Sequence, residues 1–317
     1  MRLSTVILPI HRRPELVDVW RRAEDLGVHT AYTYDHLSWR SFRDEPWFAT
    51  IPTLTAAAMV TDRIRLGTMV ISPNFRHPVT LAKDLLSLDD LSEGRLTIGI
   101  GAGGTGFDAT TLGQEPWTPR ERADRFAEFV ALLDRLLREP VTTRTGRYYT
   151  AHEARMHPGC MQRPRPPFAI AATGPRGLAL AAAHGQAWVT FGDPWRREDA
   201  DLAGRLDAVA AQAARLDAAC ADAGRDPATI RRVLLTGVGT PAPLHDPGAF
   251  RDFTARAAAI GVDEIVVHWP VPDSVFAVDE AAFIRSVTAA IDATATGATA
   301  TGATGATGHD TAGTERP

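Results

Sequence analysis

SLDDLSEGRLTIGIGAGGTGFDATTLG, residues 87–113, is the stretch of sequence that decides the fold of this chain. Its first residues close an apolar-periodic helix, and Ser92-Glu93-Gly94 forms a turn. Arg95–Ile100 is short and rich in β-branched residues, which predicts a strand. The strand opens into the small residues 101–106. Because glycine carries no Cβ, a flat ligand can lie against such backbone, so the run is a candidate cofactor floor.

The same glycine run has other interpretations. Glycine-rich segments also form flexible surface loops. The spacing from Gly99 fits G-x-G-x-x-G, but Asp108 follows too soon to be the ribose-binding acid, and Pro116 delays the next helix. The run therefore differs from a dinucleotide-binding fingerprint, and the rest of the chain has to decide between a loop and a cofactor floor.

Strand-helix units repeat along the whole chain. Strands are predicted at 3–8, 30–34, 64–71, 95–100, 168–172, 187–191, 230–238 and 264–269, and helices at 16–26, 48–61, 78–91, 119–138, 175–184, 197–223, 247–260 and 279–293. The strands are apolar without alternation, which predicts an α/β fold with a parallel sheet covered by helices. Eight units in this length favour a closed (β/α)8 TIM barrel over a doubly wound sheet.

One barrel domain is predicted over residues 1–293. Residues 139–167 interrupt the rhythm as an insertion between the fourth and fifth units, with a hairpin at 142–149 and a proline cluster. Residues 294–317 repeat Thr-Gly-Ala without an apolar face. Such a segment cannot bury enough surface to fold, so we expect a disordered tail.

Composition excludes several classes of function. The chain has 317 residues, 23% of them charged, and a formal net charge of -4. No long basic run is present, so we expect no nucleic-acid partner. No apolar run reaches the length of a membrane span, and the first ten residues do not resemble a signal peptide. These features predict a cytoplasmic protein without a membrane partner.

A metal site is not expected. His152, Glu153, His157 and Cys160 superficially suggest zinc ligands, but the histidine spacing is wrong for a helical motif and Pro158 argues against a helix. The only other cysteine is Cys220. Two distant cysteines are too few for a disulfide framework, so both are predicted to be free thiols.

The ends of the predicted strands carry the candidate functional residues, since barrel enzymes place their chemistry there. Charged, aromatic or small residues follow six strands, at 34–40, 72–78, 101–108, 173–177, 192–195 and 268–270. In the fifth unit, Thr173 is a candidate N-cap and Pro175 pre-sets the first helical turn. The free N–H groups of that turn and Arg176 would bind an anion, which favours a phosphate-bearing cofactor over plain helix capping.

His36 also has two interpretations. A histidine beside an aspartate can simply close a turn, or it can transfer a proton near neutral pH.

Four motifs together resemble the luciferase-like monooxygenase superfamily, which includes flavin-dependent and F420-dependent oxidoreductases. They are Tyr34-Asp35-His36, Arg76-His77-Pro78 with Ala82, Leu91–Arg95 running into Gly99–Gly103, and Ala172-Thr173-Gly174 leading to Gly185–Trp188. The similarity covers about residues 3–293. It implies a (β/α)8 barrel that binds FMN or the deazaflavin coenzyme F420 across the C-terminal ends of the strands.

Details of the motifs favour F420 over FMN. Aspartate before His36 is similar to the F420-dependent branch, whereas FMN-dependent luciferases tend to show Glu-His-His. Some F420-dependent sugar-phosphate dehydrogenases place the tryptophan one residue further from the histidine than Trp39. They also have a glutamate near the start of the fourth loop, where this chain has Gly104-Thr105-Gly106. We therefore expect an F420-dependent enzyme whose substrate is left open.

The resemblance also assigns site residues. It implies catalytic roles for His36, Asp108 and Trp39, with the substrate entering between these residues and Trp195. The residues expected to bind the cofactor are Asp35, Ser72, Asn74, Gly101, Ala102, Gly103 and Gly104 beside the ring system, and Thr173, Gly174, Arg176 and Gly177 at the phosphate. The cofactor does the redox chemistry, and the protein positions it.

Two other functions remain open. One is an FMN-dependent monooxygenase that receives reduced flavin from a partner reductase, and the other is a non-catalytic flavin-binding relative. Fold alone does not separate them. We also expect a small-molecule substrate, a flavin or F420 reductase as a partner, and a homodimer.

Overall fold

The computed structural model describes residues 1–193, 201–237 and 240–302, with side chains as far as Thr294. Within these ranges the strands are β1 (Arg2–Val6), β2 (Thr30–Thr33), β3 (Arg65–Thr68), β4 (Leu96–Gly101), β5 (Val141–Thr145), β6 (Thr150–Arg155), β7 (Phe168–Ala171), β8 (Ala187–Thr190), β9 (Arg231–Leu235) and β10 (Glu264–His268). The helices are α1 (Arg13–Asp25), α2 (Thr50–Ala58), α3 (Pro78–Leu91), α4 (Pro119–Arg138), α5 (Pro175–His184), α6 (Leu202–Asp222), α7 (Pro247–Ala259) and α8 (Glu280–Gly302).

Eight parallel strands close a barrel in the order β1-β2-β3-β4-β7-β8-β9-β10. The first and last strands pair over five positions, from Arg2 opposite Glu264 to Val6 opposite His268. The predicted (β/α)8 barrel is confirmed. Because all strands run in one direction, their C-terminal ends and the loops that follow them lie at one end of the barrel, called the mouth below.

Local sequence signals explain most helix boundaries. The helix α4 begins with a capping box between Thr118 and Glu121 and has Pro119 in its first turn. Phe126, Phe129 and five other apolar residues of this helix form a buried stripe. The core strands are buried on both faces, as the continuous apolar runs predicted, and β4 and β10 are buried throughout.

A buried carboxylate lies inside the barrel at the end opposite to the mouth. Glu264 Oε1 accepts hydrogen bonds from the hydroxyls of Ser4, at 2.8 Å, and Tyr32, at 3.0 Å. Arg231 Nε lies 3.0 Å from Glu264 Oε2, an ion pair without hydrogen-bond geometry. These contacts join β1, β2, β9 and β10 and compensate the cost of burying the charge.

The insertion between β4 and β7 contains the predicted hairpin, formed by the antiparallel pair β5 and β6. Glu128 on α4 accepts hydrogen bonds from the backbone N–H groups of Arg147, Tyr148 and Tyr149. The turn of the hairpin is therefore fastened to the helix that precedes it.

The last helix extends beyond its predicted end at Ala293 and reaches Gly302. Ala290 is a buried residue of this helix and lies before the extension. The rest of the predicted disordered tail, residues 303–317, lies outside the described residues. In the described ranges, the helices are too short or too polar to cross a lipid bilayer.

Candidate active site

An ion pair joins the loops after β2 and β3 at the barrel mouth. Arg76 donates from Nε to Asp35 Oδ2 at 3.1 Å and from Nη2 to Oδ1 at 2.6 Å. The Asp35 side chain is only 1% exposed. Burial alone would lower the pKa of Arg76, but the hydrogen bond and charge of Asp35 raise it. Both Asp35 oxygens accept from Arg76, so this ion pair fixes the two loops to each other. The expected contact of Asp35 with the cofactor stays a prediction.

His36 and Asp108 form a dyad between the loops after β2 and β4. His36 Nδ1 lies 2.5 Å from Asp108 Oδ2, and the backbone N–H of Leu37 donates to Oδ1 at 2.8 Å. Because a carboxylate only accepts, the Nδ1 atom carries the proton, and a neutral imidazole then presents Nε2 as an acceptor. The Asp108 side chain is 6% exposed and that of His36 is 32% exposed. A buried acid therefore orients a solvent-accessible histidine.

An aromatic wall lies beside this dyad. The Trp39 ring stacks on Phe276, from the loop after β10, with centroids 5.6 Å apart, and on Trp47 at 6.3 Å. Trp47 Nε1 donates to the backbone oxygen of His36 at 2.8 Å. Trp39 is thus linked to the dyad through Trp47, and its catalytic role stays a prediction. Trp195, expected on the same side of the substrate, lies outside the described residues.

A second histidine, His268, packs against the aromatic wall. The Tyr34 hydroxyl lies 2.6 Å from His268 Nε2, and Phe276 stacks on the His268 ring with centroids 3.9 Å apart. Burial lowers the pKa of His268 to about 3 and raises the pKa of Tyr34, so the neutral imidazole accepts from the phenol. Tyr34 also makes edge contacts with His36 and Trp39. The sequence placed His268 and Tyr34 at strand ends but gave no signal that they pair.

Close contacts within the protein leave no room for a side chain at the glycines of β4. A Cβ on Gly99 would lie 1.9 Å from the Thr68 carbonyl oxygen, and one on Gly101 would lie 2.7 Å from Val70 Cγ2. The half-buried Val70 side chain therefore occupies the space above Gly101. Gly101 is therefore covered on this side by the chain after β3, and its role in cofactor binding stays a prediction.

The glycines after β4 form the part of the run that reaches solvent. Gly103 has φ +73°, and a Cβ there would lie 2.6 Å from Asn74 Oδ1. Asn74 is buried and donates from Nδ2 to the Gly104 oxygen at 3.2 Å. Ser72 is buried in the same loop, Ala102 is half-buried and Gly104 is exposed. The surface available to a flat ligand is thus the edge formed by residues 102–104.

The start of α5 is exposed at the mouth, after β7. Its N-cap is Gly174 and not the predicted Thr173, and no side chain caps it. Pro175 occupies the first turn as predicted, so the backbone N–H groups of Arg176 and Gly177 are left without helical acceptors. A Cβ on Gly174 would meet no atom within 4 Å. This uncapped helix end suits an anion.

The arginine at this helix end is already paired. The half-exposed Arg176 guanidinium forms an ion pair with Asp124 on α4, and this contact lowers the pKa of Asp124. A Cβ on Gly177 would lie 2.7 Å from Ala172 Cβ, so the glycine lets the helix approach the strand end. Arg176 thus offers an anion only part of its charge.

These groups fit an elongated cofactor with a flat ring and a phosphate. The dyad follows β2 and β4, the glycine edge follows β4, and the uncapped helix follows β7, the next strand around the barrel. A phosphate is suited to the helix end, and a ring system to the uncharged edge at residues 102–104.

Comparisons with known proteins identify relatives of this chain. Residues 3–240 match the family model described as luciferase-like monooxygenase. F420-dependent glucose-6-phosphate dehydrogenase from Intrasporangium calvum is 34% identical over 194 residues, which are 59% of this chain and 56% of that relative. F420-dependent hydroxymycolic acid dehydrogenase from Mycobacterium tuberculosis is 29% identical over 305 residues, 89% of this chain and 77% of that relative.

A solved structure shares the fold. An F420-dependent secondary alcohol dehydrogenase in complex with an F420-acetone adduct superimposes with a TM-score of 0.75 and 16% identity, covering 92% of this chain and 98% of that chain. At this identity the likeness concerns the fold alone. The match to the glucose-6-phosphate dehydrogenase spans only about half of that enzyme's length, 56%. The family match over residues 3–240 and the closed barrel show that this chain belongs to the luciferase-like monooxygenase family.

Proposed function

We propose that this protein is an F420-dependent oxidoreductase that transfers hydride between the coenzyme and a small organic substrate. The observation that carries the proposal is the contact of 2.5 Å between His36 Nδ1 and Asp108 Oδ2 at the barrel mouth. A histidine oriented by a buried carboxylate is suited to move the proton that accompanies hydride transfer. The F420-dependent relatives and the Asp35-His36 sequence favour the deazaflavin over FMN.

When bound, the deazaflavin supplies a hydride acceptor or donor. His36 then acts through Nε2, the nitrogen that Asp108 leaves free, and takes the proton of a substrate hydroxyl or returns it to a carbonyl. Asp108 keeps the proton on Nδ1 and stabilises the imidazolium while Nε2 is protonated. Trp39 borders the space in front of His36 and limits the directions from which a substrate approaches.

The coenzyme would be held at two places. The uncapped N–H groups of Arg176 and Gly177 would bind its phosphate. The Arg176 side chain would add a positive charge that it shares with Asp124, and Thr173 and Gly174 would line the path to the helix end. The edge at residues 102–104 would carry the ring. Buried Ser72 and Asn74 support that edge, and Gly101 and Asp35 act through Val70 and Arg76.

The alternative is an FMN-dependent monooxygenase that receives reduced flavin from a reductase, and the description of the matched family favours it. A non-catalytic flavin-binding protein is less well supported, since it would not need the His36–Asp108 dyad. We further propose that the protein acts in the cytoplasm as a homodimer. The free and buried state of Cys160 and Cys220 is consistent with a reducing compartment.

Cofactor titration tests the proposal directly. Purified protein is titrated with oxidised F420 and, separately, with oxidised and reduced FMN, and binding is followed by absorbance and fluorescence. We expect F420 to bind at least about ten-fold more tightly than either form of FMN, a difference of about 1.4 kcal/mol. Tighter binding of reduced FMN, with oxygen consumed in its presence, would support the monooxygenase instead.

A further inference from the structure

The loops of the barrel mouth carry most of the exposed apolar side chains in the described part of the chain. In the described part of the chain, ten large apolar side chains are well exposed. Six of these ten lie in loops of the barrel mouth. These six, called the apolar rim, are Leu37 (41% exposed), Phe48 (39%), Phe107 (38%), Leu112 (62%), Phe191 (42%) and Val275 (66%). A concentration of exposed apolar surface around one opening marks a binding site.

Three residues of the rim adjoin residues of the aromatic wall or the dyad in the chain. Leu37 donates its N–H to Asp108, and Phe107 is the neighbour of Asp108 in the chain. Val275 is the neighbour of Phe276, which stacks on Trp39. The loops after β2, β4 and β10 therefore meet around His36, and each of them carries an exposed apolar side chain.

The aromatic wall lies across the barrel from the anion site. Trp39 and Phe276 follow β2 and β10, the two strands that flank β1, whereas the uncapped helix follows β7. In the order of strands, β1 and β7 are four places apart in either direction. The phosphate of the coenzyme and the aromatic wall thus belong to opposite sides of the mouth, and the aromatic side is left for the substrate.

The arginines of the loops after β2 and β3 do not converge on one point. The Arg40 guanidinium lies over the Trp39 ring at 5.2 Å, and the Arg43 guanidinium over the Phe107 ring at 4.3 Å. The third arginine near these loops, Arg76, is paired with Asp35. Recognition of a phosphate uses several donors aimed at one point. The described residues of the loops after β2 and β10 instead present flat aromatic and aliphatic surface, while the exposed Arg12 and Arg13 follow β1.

We infer that the substrate is an apolar secondary alcohol or ketone with an aryl or alkyl body, and not a sugar phosphate. This inference rests on the proposed function. The body lies on the apolar rim and the aromatic wall, and the reacting carbon lies at His36. In the oxidative direction the carbinol C–H bond breaks and its electron pair leaves as hydride to oxidised F420, while the O–H proton goes to His36 Nε2 and the C–O bond becomes C=O.

Calorimetry measures binding without turnover. Protein saturated with oxidised F420 is titrated with 4-phenyl-2-butanone, which cannot react with the oxidised coenzyme, and with glucose 6-phosphate, whose oxidation by F420 is followed by absorbance and would itself overturn the inference. We expect the ketone to bind at least about ten-fold more tightly and with a negative heat-capacity change, the mark of buried apolar surface. Tighter binding of glucose 6-phosphate would overturn the inference.

Turnover of a homologous series provides the second measurement. From 2-butanol to 2-octanol, kcat/KM for F420 reduction should rise by up to about four-fold for each methylene, which corresponds to about 0.8 kcal/mol. Val275→Ser and Leu112→Ser should flatten this rise while F420 affinity stays unchanged. Met59→Ser is the matched control, because Met59 is 67% exposed but lies at the end of α2, away from the mouth.

The outcomes separate this inference from the proposed function. F420 binding without any rise along the series overturns the inference and leaves the function standing. Conversion of a dimer to a monomer by Val275→Ser, with unchanged ketone affinity, would also overturn it, since a second copy would then cover the rim. Absence of F420 binding defeats the proposed function and the inference together.

Discussion

At the scale of single residues, position in the fold gives two histidines opposite properties. His36 is one third exposed and is oriented through Nδ1 by a carboxylate, so its second nitrogen is available for proton transfer. His268 is buried under Phe276 and accepts from Tyr34, so it stays neutral and serves the structure. The same side chain therefore acts as a proton carrier in one place and as a fixed acceptor in the other.

His36→Ala should lower the rate of hydride transfer by about 10²- to 10⁴-fold, the usual contribution of a general acid-base residue. F420 affinity should change little, because the residue faces the substrate. Single-turnover reduction of F420 followed by absorbance gives the rate. Asp108→Asn should also lower the rate, since the tautomer is no longer fixed, whereas His152→Ala on the exposed hairpin should have no effect. Normal turnover in His36→Ala would assign the residue to the loop structure only.

His268 should make stability depend on pH. Its folded-state pKa of about 3 is below the ordinary value of 6.5, so the unfolded chain binds a proton that the folded protein does not. Stability is therefore lost as pH falls below about 6.5, and this group should account for about 2 kcal/mol between pH 7 and pH 5. Urea unfolding of the wild type and of His268→Gln measures it. An equal loss in both proteins would contradict this assignment.

At the scale of elements, the junction between β7 and α5 combines three short signals. Gly177 lets the helix approach Ala172, Pro175 starts the helix, and no side chain caps it. The ion pair between Arg176 and Asp124 ties the start of α5 to α4. The helix end is thus held in place by neighbours while its N–H groups stay open to a ligand.

Arg176→Ala should weaken F420 binding by about 1 kcal/mol, the low end of the range for a charge-assisted contact, because Asp124 already shares its charge. Asp124→Asn should strengthen binding slightly, since it releases the guanidinium. Equilibrium titration with F420 measures both effects, and Arg251→Ala on α7 is the control. Unchanged affinity in the first two variants would remove Arg176 from the phosphate site.

At the scale of the whole molecule, the barrel is closed without the C-terminal segment. β10 pairs with β1 over its full length, and α8 buries Phe283, Val287 and Ala290 against the core. These three side chains therefore anchor α8 to the barrel.

Deleting residues 295–317 should leave the melting temperature within about 2 °C of the wild type, because no large apolar side chain occurs in that segment. F420 affinity should also be unchanged. Scanning calorimetry and cofactor titration of the truncated chain test both expectations. A fall of more than about 5 °C would show that the segment packs against the barrel.

The sequence by itself determined the fold class, the eight units and most helix starts. Periodicity, prolines and caps act over a few residues, so the start of α4 at Thr118 and Pro119 could be predicted locally. The prediction of Thr173 as the N-cap of α5 was wrong, because the helix begins one residue later, after Gly174. It also selected His36 and Asp108 separately, as polar residues at strand ends.

Only the tertiary structure decided which of these residues meet. His36 and Asp108 are 72 positions apart, and Tyr34 and His268 are 234 apart, so their contacts depend on the order in which the strands close the barrel. The same closure turned Asp35 onto Arg76 and placed Val70 over Gly101. Short-range patterns carry no information on such pairings, because they are fixed by the packing of distant strands and loops.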